Sequence, residues 1–404
     1  VEYIVIGISN DPAFSFTDEV KRILPLHQLF SGGKRHYELV KKYLPIDHQW
    51  IDITGDMGRL MEQYKAFNQA VVVFASGDPL FYGIANTLKR LDPAAALKVY
   101  PHFNSLQVLC QRCNIAYQHI CNTSVHGRSW DELDTALISG NALIGVLTDG
   151  IKTPVAIAER MLEYGFDNYS MIVGEALEGM EERISYSSLN EVVTGNPLNT
   201  ERVAGRYSFN ALNCVLLVRS ALKPKVFGIP DAAFAGLENR PNMITKMPVR
   251  LVSLSQLDLH NRSSFWDIGF CTGSVSIEAK KQFPALQVTA FEKRQECSQL
   301  LDMNTRKHST PGITKVMGDI FSQELKGQTD AIFIGGHGNR LVELISLVDP
   351  HLNSKGRLVI NAVKDESKEQ FITGIEQLNY RLLEPVVLTV DEHNPITILT
   401  AEKL

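Results

Sequence analysis

The chain alternates short, wholly apolar runs with longer stretches whose apolar residues recur every three or four positions. YIVIG (Tyr3–Gly7), VVVFA (Val71–Ala75), ALIGVL (Ala142–Leu147), NYSMIVGEAL (Asn168–Leu177) and NCVLLVR (Asn213–Arg219) have the length and composition of buried strands. HYELVKKYL (His36–Leu44) and PVAIAERMLEYG (Pro154–Gly165) have helical spacing. This alternation predicts an α/β fold with largely parallel sheets in the first half, and NCVLLVR as its last strand. Beyond it, VTAFE, ITKVMG, AIFIGG, RLVINAV, YRLLEPVVLTV and ITILTAEKL bring the second half to about seven strands. The last of these are close in sequence and are expected to pair antiparallel. Between the halves, Ser220–Lys246 is rich in proline and glycine and has little periodicity. It reads as a linker with an irregular lead-in. The expected organisation is one domain over 1–219, a linker over 220–244 and a second domain over 245–404.

A length of 404 residues allows two sizeable cores, and 44% hydrophobic with 21% charged residues is ordinary for a soluble globular protein. A net charge of −5 gives no basic field for nucleic acid, and no apolar run reaches the length of a membrane span. VEYIVIGIS has no basic region before it and reads as a first strand, not a signal peptide. Six cysteines are few for this length, which points to a reducing cytoplasm. Cys110 and Cys113 form a CxxC near His119 and Cys121, but no second CxxC completes a metal site. Their surroundings are helical, so they read as small helix residues, with no protein-bound metal.

Candidate chemistry concentrates in FWDIGFCTGSVSIEA (Phe265–Ala279), a buried strand, a glycine turn and a helix starting near Ser274. Gly269 and Gly273 permit a tight turn and a close backbone approach to a ligand. The helix start offers free N–H groups to a polar or anionic group. Glu292 ends the next apolar run about 20 residues on, where an acidic residue accepts from ribose hydroxyls. The turn reads D-I-G-x-x-T-G and lacks the second glycine that a dinucleotide pyrophosphate requires. That favours S-adenosylmethionine, with Gly318-Asp319 after the next strand placed for an adenine amino group.

Taken together, GIPDAAFAGLE, MITKMPVRLVSLSQL, FWDIGFCTGSVSIEA, FEKRQE, GDIF, AIFIGGHG and GRLVINAV resemble the C-terminal half of the precorrin-6Y C5,15-methyltransferases of cobalamin biosynthesis. That half methylates carbon 15 and decarboxylates an acetate arm, and the resemblance covers 226–404. It implies a Rossmann-like S-adenosylmethionine-dependent methyltransferase fold. Thr245 would approach the cofactor, and Gly269, Phe270, Cys271, Thr272 and Gly273 would wrap its methionine and ribose. Glu292 would hold the ribose, Asp319 and Ile320 would flank the adenine, and Gly335, Gly336 and Asn361 would face the substrate. Cys271 departs from the family's usual glycine. If that position needs positive φ, cysteine costs roughly 1–2 kcal/mol there, by analogy with the left-handed penalty, whereas a β-region backbone would cost little.

In the first half, SGGKRHYELV, ASGDPLFYGIA, SVHGRSWDEL and LTDGIKTPVAIAERML occur in one order. They resemble the two-lobed tetrapyrrole (class III) methylase fold, the carbon-5 methylating half of the same family, over 1–219. The resemblance implies a second S-adenosylmethionine between the lobes, lined by Gly7, Gly77, Asp78, Phe81, Asn104 and Ser105. Read on its own, GDP is a turn in which Asp78 caps the next helix. Lys34-Arg35-His36 and His126-Gly127-Arg128 are basic clusters suited to the carboxylate arms of a tetrapyrrole, or to a solvated surface.

Both halves would run displacement of methyl from a sulfonium onto an electron-rich ring carbon, which needs alignment more than a protein nucleophile. The product expected is precorrin-8. His337 is the one candidate for a proton-transfer role, against a plain loop histidine. Two other readings share these features. One is a fused methyltransferase for another substrate, RNA or protein; the other is a cofactor-binding protein with one inactive half. Both halves resemble folds that commonly form homo-oligomers. Whether cobalt is already in the ring is not written in the sequence.

Overall fold

A computed structural model of the protein describes residues 1–67, 69–195, 209–240, 242–391 and 394–404. Contacts divide the chain into two compact units. The first holds Val1–Arg128, Ala142–Ala158 and Tyr169–Arg219; the second holds Ser129–Asn141, Glu159–Asn168 and Ser220–Leu404. Two stretches that precede residue 219 therefore group with the second unit.

The first unit contains two five-stranded sheets. Strands β1 (Glu2–Ile8), β2 (Leu29–Gly32), β3 (Gln49–Asp52), β4 (Val71–Ser76) and β5 (Ala96–Tyr100) lie in the order β3-β2-β4-β1-β5. Every pairing among them is parallel. Tyr3, Val5, Val71 and Val73 join one core cluster, while Ile4, Ile6, Val72 and Phe74 join another. Alternate residues thus bury on opposite faces, which is why these strands read as continuous apolar runs.

The second sheet comprises β6 (Cys121–Ser124), β7 (Leu143–Leu147), β8 (Tyr169–Glu175), β9 (Arg183–Ser188) and β10 (Asn213–Arg219), ordered β6-β7-β10-β8-β9. Here the expected parallel arrangement fails. Only β6–β7 is parallel; β10 runs antiparallel between β7 and β8, and β9 is antiparallel to β8. A strand buried on both faces looks the same whichever way it runs, so NCVLLVR gave its burial but not its direction.

In the second unit, β11 (Ser264–Ile268), β12 (Gln287–Glu292), β13 (Ile313–Met317), β14 (Thr329–Ile334), β15 (Leu352–Ala362), β16 (Tyr380–Leu382), β17 (Val386–Leu388) and β18 (Ile396–Lys403) form one sheet. Its order is β13-β12-β11-β14-β15-β18-β16, with β17 also on β18. The first five are parallel, and β18 is antiparallel to β15, β16 and β17. YRLLEPVVLTV, read as one strand, is two, separated around Pro385, which has no N–H for the ladder. The strand order reverses between β11 and β14, and a doubly wound sheet opens a crevice there, beyond the strand C-termini.

The irregular lead-in is fastened to this sheet from Gly228 onward. Glu278, fully buried on the helix Ser274–Gln282, accepts from the backbone N–H groups of Gly228 (3.0 Å) and Ile229 (2.9 Å). Arg250, fully buried on the helix Met247–Gln256, donates to Glu278 (3.3 Å), Asp231 (3.2 Å), the Thr245 carbonyl (2.8 Å) and the Ile229 carbonyl. Its guanidinium also lies 5.1 Å from the centre of the Phe234 ring. Pro241 of this segment lies outside the described residues. Removing one member of a buried pair strands the other charge, at a cost of about 3–5 kcal/mol. Glu278→Gln and Arg250→Met are each expected to lower the stability of the full chain by that order in denaturant titrations. A loss below about 1 kcal/mol in both would mean that the pair does not hold the lead-in.

Candidate functional site

The reversal point carries a cavity of about 580 Å³. Its floor is the loop after β11. Gly269 takes φ +80°, and a Cβ there would stand 2.8 Å from the Gly336 nitrogen, so the two strand-end loops approach as only glycine allows. Cys271 takes φ +50°, so of the two backbone conformations open to it the left-handed one is adopted. Its N–H donates to Glu292 (3.1 Å) and its thiol to the Met243 carbonyl (3.1 Å). The Ser274–Gln282 helix follows with Gly273 as its cap.

Glu292 is buried and heavily engaged. Besides Cys271, it accepts from the backbone N–H groups of Lys293 (2.9 Å) and Arg294 (3.1 Å), and from Arg294 Nε (3.0 Å) and Nη2 (2.6 Å). Burial works to raise its pKa, but the Arg294 guanidinium and these N–H groups outweigh it, leaving the carboxyl below its usual range. Two carboxylates in one crevice are thus driven apart. Asp267, fully buried at the end of β11, is pushed up to about 7 by burial, and the nearby Glu292 charge adds to the rise. One Asp267 oxygen accepts from Ser276 N (3.1 Å) and Oγ (2.5 Å). The other, Oδ1, is buried with no partner among the described residues, as are Thr272 Oγ1 and His337 Nδ1. All three residues line the cavity. Buried polar atoms are normally paired, so three orphans around one cavity mark it as built for a polar ligand.

Most residues expected from the sequence converge here. Thr245, Gly269, Phe270, Cys271, Thr272, Glu292, Asp319, Ile320, Gly335, Gly336, His337 and Asn361 all line the cavity. Gly273 does not; it packs against Leu301 behind the loop. Asp319 Oδ1 accepts from Phe321 N (3.2 Å), and Asn361 Oδ1 from Ser253 Oγ (2.8 Å). Burial holds His337 below its usual pKa. Sequence reasoning did not place Asp267, Met243, Lys293 or Arg294 at the site. Asp267 and Arg294 stand inside quoted motifs, but only the fold shows their side chains turned to the same crevice.

In the first unit, a cavity of about 820 Å³ is lined by Gly77, Asp78, Phe81, Asn104, Ser105, Arg35, His126 and Arg128. Gly7 is not on its wall. A Cβ there would stand 2.0 Å from the Gly77 carbonyl oxygen, so Gly7 is a packing glycine where the loops after β1 and β4 meet. Lys34 is exposed and also lies off the wall. Asp78 does not cap a helix. Its Oδ1 accepts from Leu80 N (2.9 Å) in a local turn, and the next helix, Ile84–Leu91, starts at a Gly83 cap. Asn104 does cap the helix Ser105–Arg112, accepting from Gln107 N (2.9 Å). Cys110 is buried in an apolar cluster on that helix, and burial pushes its thiol up to about 11. His126 shares a hydrogen bond with the Thr148 carbonyl (2.8 Å), and the Arg128 guanidinium lies 5.2 Å from the centre of the Tyr82 ring. The structure adds Asn10, Ser76, Asp149 and Glu178 to the wall.

The family model for a precorrin methyltransferase domain matches residues 239–400. A precorrin-6Y C(5,15)-methyltransferase (decarboxylating) from Sinorhizobium is 32% identical over 364 residues, covering 89% of this chain and 84% of its own. The chain belongs to the precorrin-6Y C(5,15)-methyltransferase family. Shorter relatives match about half of it. A cobalt-precorrin-6B C(15)-methyltransferase (decarboxylating) from Salmonella typhimurium is 36% identical over 166 residues, 41% of this chain and 85% of its own. A cobalt-precorrin-7 C(5)-methyltransferase from the same organism is 28% identical over 198 residues, 48% of this chain and 94% of its own. Family membership makes the protein a decarboxylating C-methyltransferase of cobalamin biosynthesis. Among the described residues, no helix is long and apolar enough to cross a membrane.

The strain at Cys271 is open to measurement. Relief of roughly 1–2 kcal/mol at φ +50° is offset in Cys271→Gly by lost thiol burial and by glycine's extra chain entropy, about 0.5–1 kcal/mol. That variant is expected within about 1 kcal/mol of the parent, whereas branched Cys271→Val should lose 2 kcal/mol or about that amount. Equal stability of the two in thermal unfolding would show that the loop is not strained.

Proposed function

We propose that the chain carries out both family reactions on one precorrin-6Y-type tetrapyrrole, with one S-adenosylmethionine site in each unit. In this reading residues 1–219 methylate carbon 5. Residues 245–404 methylate carbon 15 and remove an acetate carboxyl as carbon dioxide. The single observation that carries the second-unit site is the set of orphaned polar atoms of Asp267, Thr272 and His337 around the reversal-point cavity.

The residues present fit the cofactor. Asp267 Oδ1, a buried acceptor without a donor, suits an ammonium group. Glu292 suits ribose hydroxyls, but its oxygens already serve five N–H contacts. A ribose that reaches it replaces Arg294 side-chain bonds. Asp319 and Ile320 take the adenine edge and face, and Thr245 closes over the site. When bound, the cofactor supplies an electrophilic methyl group. The chain's own residues contribute alignment of the ring carbon and exclusion of water. His337, kept neutral by burial, can accept a proton on the substrate side beside Gly335, Gly336 and Asn361. In the first unit, Gly77, Asp78, Phe81, Asn104 and Ser105 hold the second cofactor, and Arg35, His126 and Arg128 meet the substrate.

Mass analysis of product made from precorrin-6Y, or its cobalt form, tests the whole reading. A gain of two methyl groups with loss of carbon dioxide is expected. No mass change with either substrate would overturn it.

Asp267 gives a separate test by calorimetry. Its raised pKa leaves the free protein partly protonated near pH 7, and an ammonium ligand favours the charged form. Binding to the second unit should therefore release a proton below about pH 7, with affinity rising with pH and levelling above it. Asp267→Asn should abolish that dependence and weaken binding roughly tenfold or more. An unchanged pH profile in the variant would remove Asp267 from the site.

A further inference from the structure

Arg35 sits in the wall of the first unit's cavity as a cation with only neutral partners. Its Nη1 donates to Asn10 Oδ1 (2.7 Å) and its Nη2 to Ser76 Oγ (2.7 Å). Among the described residues no carboxylate is within ion-pair distance of it. A partly buried guanidinium without a counter-charge is costly, and here two neutral acceptors hold it in one orientation.

The proton count around Ser76 adds a second donor. His36 Nδ1 accepts from Gly33 N (3.2 Å), so the proton of the neutral ring is on Nε2. Burial and then the Arg35 charge push its pKa down to about 4, so the ring is neutral under ordinary conditions. Nε2 lies 2.9 Å from Ser76 Oγ and, being protonated, cannot accept from it. Arg35 cannot accept either. The Ser76 hydroxyl hydrogen is therefore refused by both neighbours and left for a third partner. Ser76 and Arg35 both line the cavity.

We infer that Arg35 and Ser76 form a carboxylate-binding subsite, with Asn10 and His36 as the residues that orient it. Guanidinium and hydroxyl both stand on the cavity wall as adjacent donors, a pairing that favours an anion over a neutral ester. His126 Nδ1 on the same wall is engaged by the Thr148 carbonyl (2.8 Å), so that nitrogen is not counted in the subsite. The inference rests on the proposed function, since it takes the anion to be an acetate or propionate arm of the tetrapyrrole. The same chemistry would also fit the α-carboxylate of the cofactor.

The test uses the full chain and three ligands: a porphyrin with acetate and propionate arms, its methyl ester, and S-adenosylhomocysteine. Porphyrin binding is read by fluorescence and the nucleoside by calorimetry. Arg35→Gln should weaken the free-acid porphyrin about tenfold and leave the ester unchanged. Ser76→Ala should show a smaller loss with the same selectivity, and Arg35→Lys should fall between Arg35→Gln and the parent. If Arg35→Gln instead weakens one class of S-adenosylhomocysteine site, the subsite holds the cofactor's carboxylate. Unchanged binding of both acids in Arg35→Gln, or equal losses for acid and ester, overturns the subsite. If the parent binds no porphyrin at all, the tetrapyrrole reading is what fails. The subsite is then judged by S-adenosylhomocysteine alone, and no loss in Arg35→Gln overturns it.

Discussion

The buried pair between Arg250 and Glu278 is the constraint on which the second unit's site depends. Neither side chain touches solvent, and between them they hold backbone groups of Gly228, Ile229 and Thr245. Two charges removed from water are tolerated only when nearly every donor and acceptor is used, and here they are spent on a segment whose regular structure, among the described residues, is one 3-10 turn at Asp231–Ala233 and one bridge between Leu237 and Arg240. That segment supplies Met243, Ile244 and Thr245 to the cavity wall. A loop that long would otherwise lose its order to chain entropy. The segment that closes one side of the second unit's cavity is thus held by an ion pair that lies outside that cavity.

The cavities of the two units are built with different local devices. In the second, a left-handed loop from Gly269 to Gly273 presses against Gly336, and the crevice is finished by carboxylates whose surroundings separate them. Arg294 keeps Glu292 charged, while burial keeps Asp267 close to half protonated near neutrality. In the first, Gly7 lets the loops after β1 and β4 meet, and the wall carries cations and hydroxyls facing a wider space. The second unit's cavity lies at the C-terminal ends of parallel strands, whereas the first takes its wall from both sheets, including Asn213 and Cys214 at the start of antiparallel β10.

Much of this was legible in the chain. The runs YIVIG, VVVFA and AIFIGG announced strands buried on both faces, because they are short, rich in β-branched residues and followed by glycine turns. The DIGFCTG turn announced its own geometry, since Gly269 and Gly273 are the residues such a turn needs, while only the structure decided that Cys271 is left-handed. What stayed hidden were quantities that depend on direction or on distant partners. NCVLLVR could not show that it runs antiparallel through the middle of its sheet. FEKRQE could not show that Arg294 folds back onto Glu292. GDP suggested a helix cap, while five residues separate Asp78 from the first residue of that helix, Ile84.

The sequence by itself determined the element types, the glycine turns and the family, because these rest on local backbone sterics and on residue identity in order. The tertiary structure alone decided strand direction, the membership of each cavity wall and the protonation of the groups within it. The physical reason is range. A turn or a buried strand is fixed by neighbours a few residues away, whereas the pKa of Asp267 and the free hydroxyl hydrogen of Ser76 depend on what the fold brings beside them. Arg35 shows both parts: its charge was plain in the sequence, but its lack of a counter-ion appeared only when the loops around β1, β2 and β4 came together.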